Sequence, residues 1–356
     1  MNSMRIHITD LQVGDRLARD TFNSIGLNIL SADTKVDEFD ILKLNKHQIE
    51  YVDIEDRPLP GSQAHSQTAA ASSELLRQEE SFHSAIGGIK DLFESAVRTG
   101  KLSDPVVEQY YGPLISSVRE EKDVVNLLLC LDSRDDYTYQ HSVQVGLISY
   151  FISIWLGKSE EEAKEIGKAG YLHDIGKCRI SFDVLHKPGK LTEEEYTEMR
   201  KHTVYGYEII RNSIADELAA LVALQHHERL NGSGYPLGKT SEAIHPAAKI
   251  VAVADVYSAM INNRSYQSKR DLLYVLKELH KMSFGELDPQ AVHVFIANMV
   301  PNFIGKKATL SNGQSGTIVM TFPNDYFRPL IQIDDAGDTF VDLTQRTDLE
   351  IQFITV

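Results

Sequence analysis

The 356 residues carry 36 lysines and arginines against 51 aspartates and glutamates, a formal charge of −15, with 42% hydrophobic and 24% charged residues. The apolar fraction is enough for a packed core, and the length suits two or three domains. The acidic balance excludes a general nucleic-acid surface, so neither DNA nor RNA polymer is expected as a partner, and any phosphate substrate needs a local basic lining.

The opening MNSMRIHITDLQVGD lacks the apolar stretch of a secretion signal. Met4 to Ile8 and Gly26 to Leu30 alternate weakly, Val36 to Leu44 reads as a short helix and Ile49 to Ile54 as a strand. Residues 1–56 are therefore expected to form a small α+β module. Residues 57–73, rich in Pro, Gly, Ser and Ala, read as a linker.

Helical patterns dominate residues 74–300. Ile86, Ile89, Leu92 and Phe93 form one apolar stripe, and Val124, Val125, Leu127, Leu128 and Leu131 another. The faces around Phe93 and Leu128 could pair two copies into a homodimer, although core packing is the commoner fate of such faces. Val143 to Leu156 reads as a buried helix stopped by Gly157. Gln144, Gly146 and Ser149 interrupt it, and no run reaches the ~18 apolar residues of a membrane span. A soluble, cytoplasmic protein without membrane insertion is expected.

Ser159-x-x-Glu162 and Thr192-x-x-Glu195 are capping boxes. The first opens a helix leading into His173-Asp174. The second opens a helix predicted to carry Tyr196, Met199, His202 and Gly206 on neighbouring turns. Leu218, Leu221, Val222 and Gln225 lead to His226-His227, and Pro246 suits the first position of a helix running through Asp255. Residues 301–356 change period again into short strand-like runs, with turns at Asn312-Gly313 and Asp335-Ala336-Gly337. They predict a small all-β module, a barrel.

The helical region holds a set of cation ligands: His141, His173, Asp174, His202, His226, His227 and Asp255. Any one of these histidines alone is more often an ordinary core or surface residue. Adjacent imidazoles after an apolar stripe, and an aspartate inside Ile250 to Val256, are costly to bury unless paired or liganded. Cys130 and Cys178 form no C-x-x-C, so neither a disulfide framework nor a thiolate zinc site is expected. Imidazole and carboxylate without thiolate suit iron or manganese better than structural zinc. Two ions sharing Asp174 would clamp the oxygens of a phosphoryl transfer.

His173-Asp174-Ile175-Gly176-Lys177, Lys187-Pro188-Gly189-Lys190-Leu191-Thr192, His226-His227-Glu228, Gly232-Ser233-Gly234-Tyr235-Pro236 and Val253-Ala254-Asp255-Val256-Tyr257 follow one another in an order that resembles the HD-GYP family. The resemblance covers roughly residues 120 to 300. It implies a mainly α fold, an all-helical HD-GYP bundle, here flanked by the N-terminal α+β module and the C-terminal β-barrel-like module. It implies hydrolysis of a cyclic dinucleotide, cyclic di-GMP, to linear pGpG and on to GMP by a metal-bound hydroxide at a binuclear centre. His141, His173, Asp174 and Asp255 resemble the ligands of one divalent ion, and Asp174, His202, His226 and His227 those of the second. Asp174 and Lys177 resemble catalytic residues; Lys177, Gly234, Tyr235, Pro236, Arg264 and Tyr266 resemble substrate contacts.

The sequence departs from the family pattern in places. Tyr137 stands where some members hold a third metal by a glutamate, which favours two ions. Asn231 and Ser258 replace aspartates, and Ser265 and Gln267 alter a basic run that Lys269 or Arg270 could restore. These departures keep two alternatives open: a receptor that binds the nucleotide without cutting it, and a hydrolase of another phosphoester such as cyclic GMP–AMP.

Overall fold

In the computed structural model the described residues are 3–8, 11–22, 28–37, 40–41, 43–44, 47, 49, 51–55, 68–119, 137–214, 216–262, 272–334 and 339–355. The stripe from Val124 to Leu131, Cys130, and the positions Arg264, Ser265, Tyr266, Gln267, Lys269 and Arg270 lie outside them.

The N-terminal residues form two antiparallel strand pairs. β1 (Ser3–His7) lies against β4 (Tyr51–Glu55), and β2 (Thr21–Phe22) against β3 (Asn28–Leu30). Alternation puts Val52 and Ile54 inward, where with Ile6, Leu17, Val36 and Leu44 they make a core of their own. Val36, expected to open a helix over 36–44, is not helical, and its amide donates to the Asp15 carbonyl.

Helices make up the centre: α1 (Thr68–Thr99), α2 (Asp104–Val118), α3 (Tyr137–Trp155), α4 (Glu160–Leu172), α5 (Phe182–Leu185), α6 (Glu193–Arg200), α7 (His202–Ser213), α8 (Glu217–Gln225), α9 (Pro246–Asn262), α10 (Leu272–Met282) and α11 (Pro289–Met299). α1 takes in residues 68–73, whose composition suggests a linker; residues 57–67 lie outside the described set. The Phe93 stripe is buried within the chain, its ring edge-on to Tyr139 at 5.2 Å. α3 is buried along most of its length and ends in a Schellman motif: the Lys158 amide donates to Ser153 O, the Gly157 amide to Ile154 O, and Gly157 has φ 78°. Both capping boxes are formed, with reciprocal bonds between Ser159 and Glu162 and between Thr192 and Glu195.

One expectation fails here. The helix predicted to run from Thr192 past Gly206 is broken at Lys201 into α6 and α7. The Lys201 amide donates to Glu198 O and Met199 O, and the His202 imidazole also donates to Met199 O, at 2.7 Å. A side chain competing for the last carbonyls of a helix is a sufficient cause for the break.

The C-terminal strands β5 (Lys307–Leu310), β6 (Ser315–Phe322), β7 (Asp325–Ile333), β8 (Phe340–Asp342) and β9 (Ile351–Thr355) form one antiparallel sheet in the order β8-β7-β6-β5-β9. Among the described residues β8 and β9 are opposite edges, so the sheet is open and the expected barrel is not formed. The reason is visible in the core. Ala308, Leu310, Ile318, Ile331 and Ile333 join the same continuous apolar cluster as the helices. A sheet that covers its apolar face with helices has no need to close on itself.

Candidate metal centre

Five helices and one 3₁₀ turn bring the predicted ligands together. His141 comes from α3, His173 caps α4, Asp174 begins the 3₁₀ turn Ile175–Arg179, His202 opens α7, His226 and His227 follow α8, and Asp255 lies on α9. Asp174, His202, His226 and His227 form one cluster of donor atoms, and His141, His173 and Asp255 another, each within 4.8 Å. Except for the partly exposed His227, all are buried.

A close backbone approach makes this convergence work. A Cβ on Gly176 would collide with the His202 carbonyl and the Gly206 amide. Glycine therefore lets the turn after Asp174 lie directly on α7, which sets Asp174 beside His202.

The outer nitrogens of the imidazoles are fixed. Nδ1 of His173 donates to Gly170 O at 2.7 Å, that of His202 to Met199 O at 2.7 Å, and that of His226 to Ala223 O at 3.0 Å. A carbonyl can only accept, so each proton sits on Nδ1 and each Nε2 lone pair turns inward. There the lone pairs meet carboxylates. Asp174 Oδ1 lies 3.4 Å from His202 Nε2 and 3.9 Å from His226 Nε2. Asp174 Oδ2 lies 3.3 Å from His173 Nε2 and 3.8 Å from His141 Nε2. Asp255 Oδ1 is 3.1 Å from His141 Nε2, and Asp255 Oδ2 is 3.6 Å from His227 Nδ1. The Asp174 carboxylate thus turns one oxygen to each cluster.

Acceptors facing acceptors in a buried space call for a cation. His173 Nε2 and Asp174 Oδ1 are buried with no hydrogen-bond partner, and orphaned atoms of this kind are rare. With five imidazoles, two carboxylates and no thiolate, the donor set fits divalent first-row ions.

The electrostatics point the same way. Burial works to raise the carboxyls of Asp174 and Asp255. The surrounding charges, His173 and Lys177 at Asp174 and His141 and His227 at Asp255, outweigh it, and both are held well below the usual carboxylate range. Burial brings His202 down to about 4, and burial with its neighbours' charges brings His226 down to about 3. Burial, then His226, holds His227 well below the usual histidine range. His173 runs against its own burial and is raised by Asp174 and Asp255.

Lys177 reaches back from the turn to pair with Asp174 Oδ2 at 2.5 Å. Of Gly234, Tyr235 and Pro236, it is Tyr235 that lies against the cluster. The Tyr235 ring stacks on His227 at 4.6 Å and 26°, and its hydroxyl is shifted upward by burial. In this loop the positive φ values fall at Gly232 and Gly238. Gly234 is needed for a different reason, because a Cβ there would strike the His227 carbonyl and the Arg229 amide.

Three further residues have roles at the site that their sequence context alone does not assign. Ser258 and Gln144 stand behind His141. The Ser258 hydroxyl donates to Gln144 Oε1 at 2.9 Å and lies 2.9 Å from His141 Nδ1. Glu228 is 2% exposed, and its two oxygens accept the Leu237 and Lys239 amides at 2.8 Å, clamping the loop that carries Tyr235. Signals for two of them exist in the chain: Gln144 is three residues from His141 on the same helix face, and Glu228 adjoins the paired histidines.

A family model described as an HD domain matches residues 130–291. Over 197 residues the chain is 36% identical to a cyclic di-GMP phosphodiesterase of Thermotoga maritima, covering 55% of this chain and 53% of that one. Over 198 residues it is 34% identical to 3′3′-cGAMP-specific phosphodiesterase 1 of Vibrio cholerae, covering 55% of this chain and 45% of that one. The chain spans about half the length of these curated relatives. A solved HDG"Y"P protein from Bdellovibrio bacteriovorus superposes with a TM-score of 0.50 at 15% identity, over 83% of this chain and 98% of that one. At that identity it speaks for the fold alone.

Proposed function

The chain belongs to the HD-GYP family of HD domains, and on that premise we propose that it is a metal-dependent phosphodiesterase opening cyclic di-GMP to linear pGpG, with a second cut to GMP. The observation that carries the reading is the division of Asp174 between two donor clusters. His141, His173, Asp174 and Asp255 would hold one divalent ion, and Asp174, His202, His226 and His227 the second, with iron or manganese favoured by the ligand chemistry. When bound, two such ions supply Lewis acidity to a phosphoryl oxygen and acidify water near neutral pH.

The protein's own groups do the rest. His141, His173, His202 and His226, held on Nδ1 by acceptors, keep their Nε2 lone pairs aimed inward without reorganising. Lys177, half-buried at the edge of the cluster, holds an ammonium proton where a departing 3′-oxygen would need one. Tyr235 covers His227 and shields that edge of the cluster.

Two departures from the family pattern are absorbed locally. Asn231 Oδ1 accepts from the amide and hydroxyl of Ser233 and so shapes the glycine loop. Ser258 keeps an acceptor behind His141. Both favour hydrolysis over binding alone. Similarity to a 3′3′-cGAMP-specific enzyme supports a second reading, cleavage of cyclic GMP–AMP.

The test is to purify the protein anaerobically with iron or manganese and offer both dinucleotides. Linear product from cyclic di-GMP is expected. Product from cyclic GMP–AMP alone would select the second reading, and tight binding with no product would favour a receptor.

A further inference from the structure

We propose that Arg200 receives a nucleotide phosphate at the mouth of the site, held ready by two tyrosines. This rests on the phosphodiesterase reading and adds to it a substrate contact.

Arg200 is the last residue of α6 and is exposed. Its Cζ lies 4.4 Å from the Tyr196 ring centre and 5.2 Å from that of Tyr235. Tyr235 in turn stacks on His227. The guanidinium is therefore two ring spacings from His227 of the donor cluster.

Neighbouring cations are committed to other partners, Arg229 to the His226 and Glu228 carbonyls and three others to acids. Lys177 pairs with Asp174, Lys187 with Glu195 and Arg179 with Glu208. Among the described residues no carboxylate pairs with Arg200. Stacking on aromatic rings occupies only the faces of a guanidinium and orients its plane. The edge N–H groups remain available for two parallel bonds to phosphate oxygens. In a chain of net charge −15, an anionic substrate needs positive charge where it enters. An arginine with no acid to leave supplies it at little cost, because the tyrosines have already ordered the side chain.

The experiment is steady-state kinetics of the metal-loaded full chain on cyclic di-GMP, comparing wild type, Arg200→Gln and Arg200→Lys. Metal content and cleavage of bis(p-nitrophenyl) phosphate, a diester without a second phosphate or a base, are measured alongside. Arg200→Gln should raise KM about tenfold or more, the scale of a lost charged hydrogen-bond pair, with kcat and metal content little changed. Arg200→Lys should recover only part of this, since a lysine is a point charge without the fork. An unchanged KM in Arg200→Gln, with wild type turning over, would overturn the assignment. So would a parallel loss of metal or of simple-diester cleavage, which would mark Arg200 as structural. Wild type that cleaves the simple diester yet neither binds nor cuts cyclic dinucleotides would refute the substrate reading, and the Arg200 contact with it.

Discussion

The Ser258 hydroxyl lies 2.9 Å from Nδ1 of His141. Its one proton is given to Gln144, so its oxygen accepts from His141, and His141 Nε2 is left with a lone pair facing Asp255. This support is neutral where the family usually places a carboxylate. Gln144→Leu removes the acceptor that orients Ser258, and metal affinity should fall about 10- to 100-fold, the scale found for outer-shell partners. Competition with a chelator measures it. Unchanged affinity would mean that packing alone orients His141.

Glu228 faces two backbone donors, the amides of Leu237 and Lys239. In Glu228→Gln one of them must meet an NH₂ group, a donor against a donor. That mismatch should cost about 1–2 kcal/mol locally. Hydrogen exchange at Leu237 and Lys239 should quicken about tenfold or more, with metal content unchanged. Unaltered protection would show that the loop is held elsewhere.

Lys168 is 7% exposed, and its ammonium lies 2.7 Å from Glu165 and 3.1 Å from Asp216. Burial lowers it, but the bonds from Glu165 and Asp216 prevail and it is held above the ordinary lysine range. Asp216 also caps α8, the helix that delivers His226. Lys168→Ala would leave a largely buried carboxylate unpaired, and stability should fall by about 2–4 kcal/mol in denaturant titration. A loss under about 0.5 kcal/mol, the range of ordinary surface changes, would show that solvent replaces the lysine.

Much of this arrangement is legible in the chain, for physical reasons that differ from place to place. Local devices read well: the capping boxes at Ser159 and Thr192 and the stop at Gly157 depend on residues three to five positions apart. Asp255 stands out because a carboxylate inside an apolar run needs a partner wherever the chain goes. What depends on tertiary contact does not read. The break at Lys201 arises from an imidazole claiming a carbonyl, and the open edge of the β-sheet from helices that cover its face. Glu228 and Ser258 gain their roles only when a loop or a neighbouring helix folds over them.

The histidines make stability pH-dependent. The pKa values of His202 and His226 lie at about 4 and about 3, below the ordinary histidine value. Between those values and about 6.5 the unfolded chain binds more protons, so their contribution is complete above ~6.5 and is lost as pH falls. His173, raised in the folded state, changes little in this window, because below ~6.5 the folded and unfolded chains both hold its proton. His202, His226 and His227, the last also held well below the ordinary histidine range, each cost roughly 1 kcal/mol per pH unit between about pH 6 and 5, a net loss of roughly 3 kcal/mol for metal-free protein. Urea titrations at those two pH values measure it, and a rise in stability on acidification would contradict the assignment of buried neutral imidazoles.

The proposed chemistry depends on one carboxylate, that of Asp174, facing both donor clusters at once. The most direct measurement is the metal content of anaerobically purified protein, compared between wild type and Asp174→Asn, with circular dichroism to confirm folding. Two ions per chain are expected in the wild type, and loss of both affinities in the variant. A single ion in the wild type, or a folded variant that still binds two, would contradict the shared-carboxylate centre.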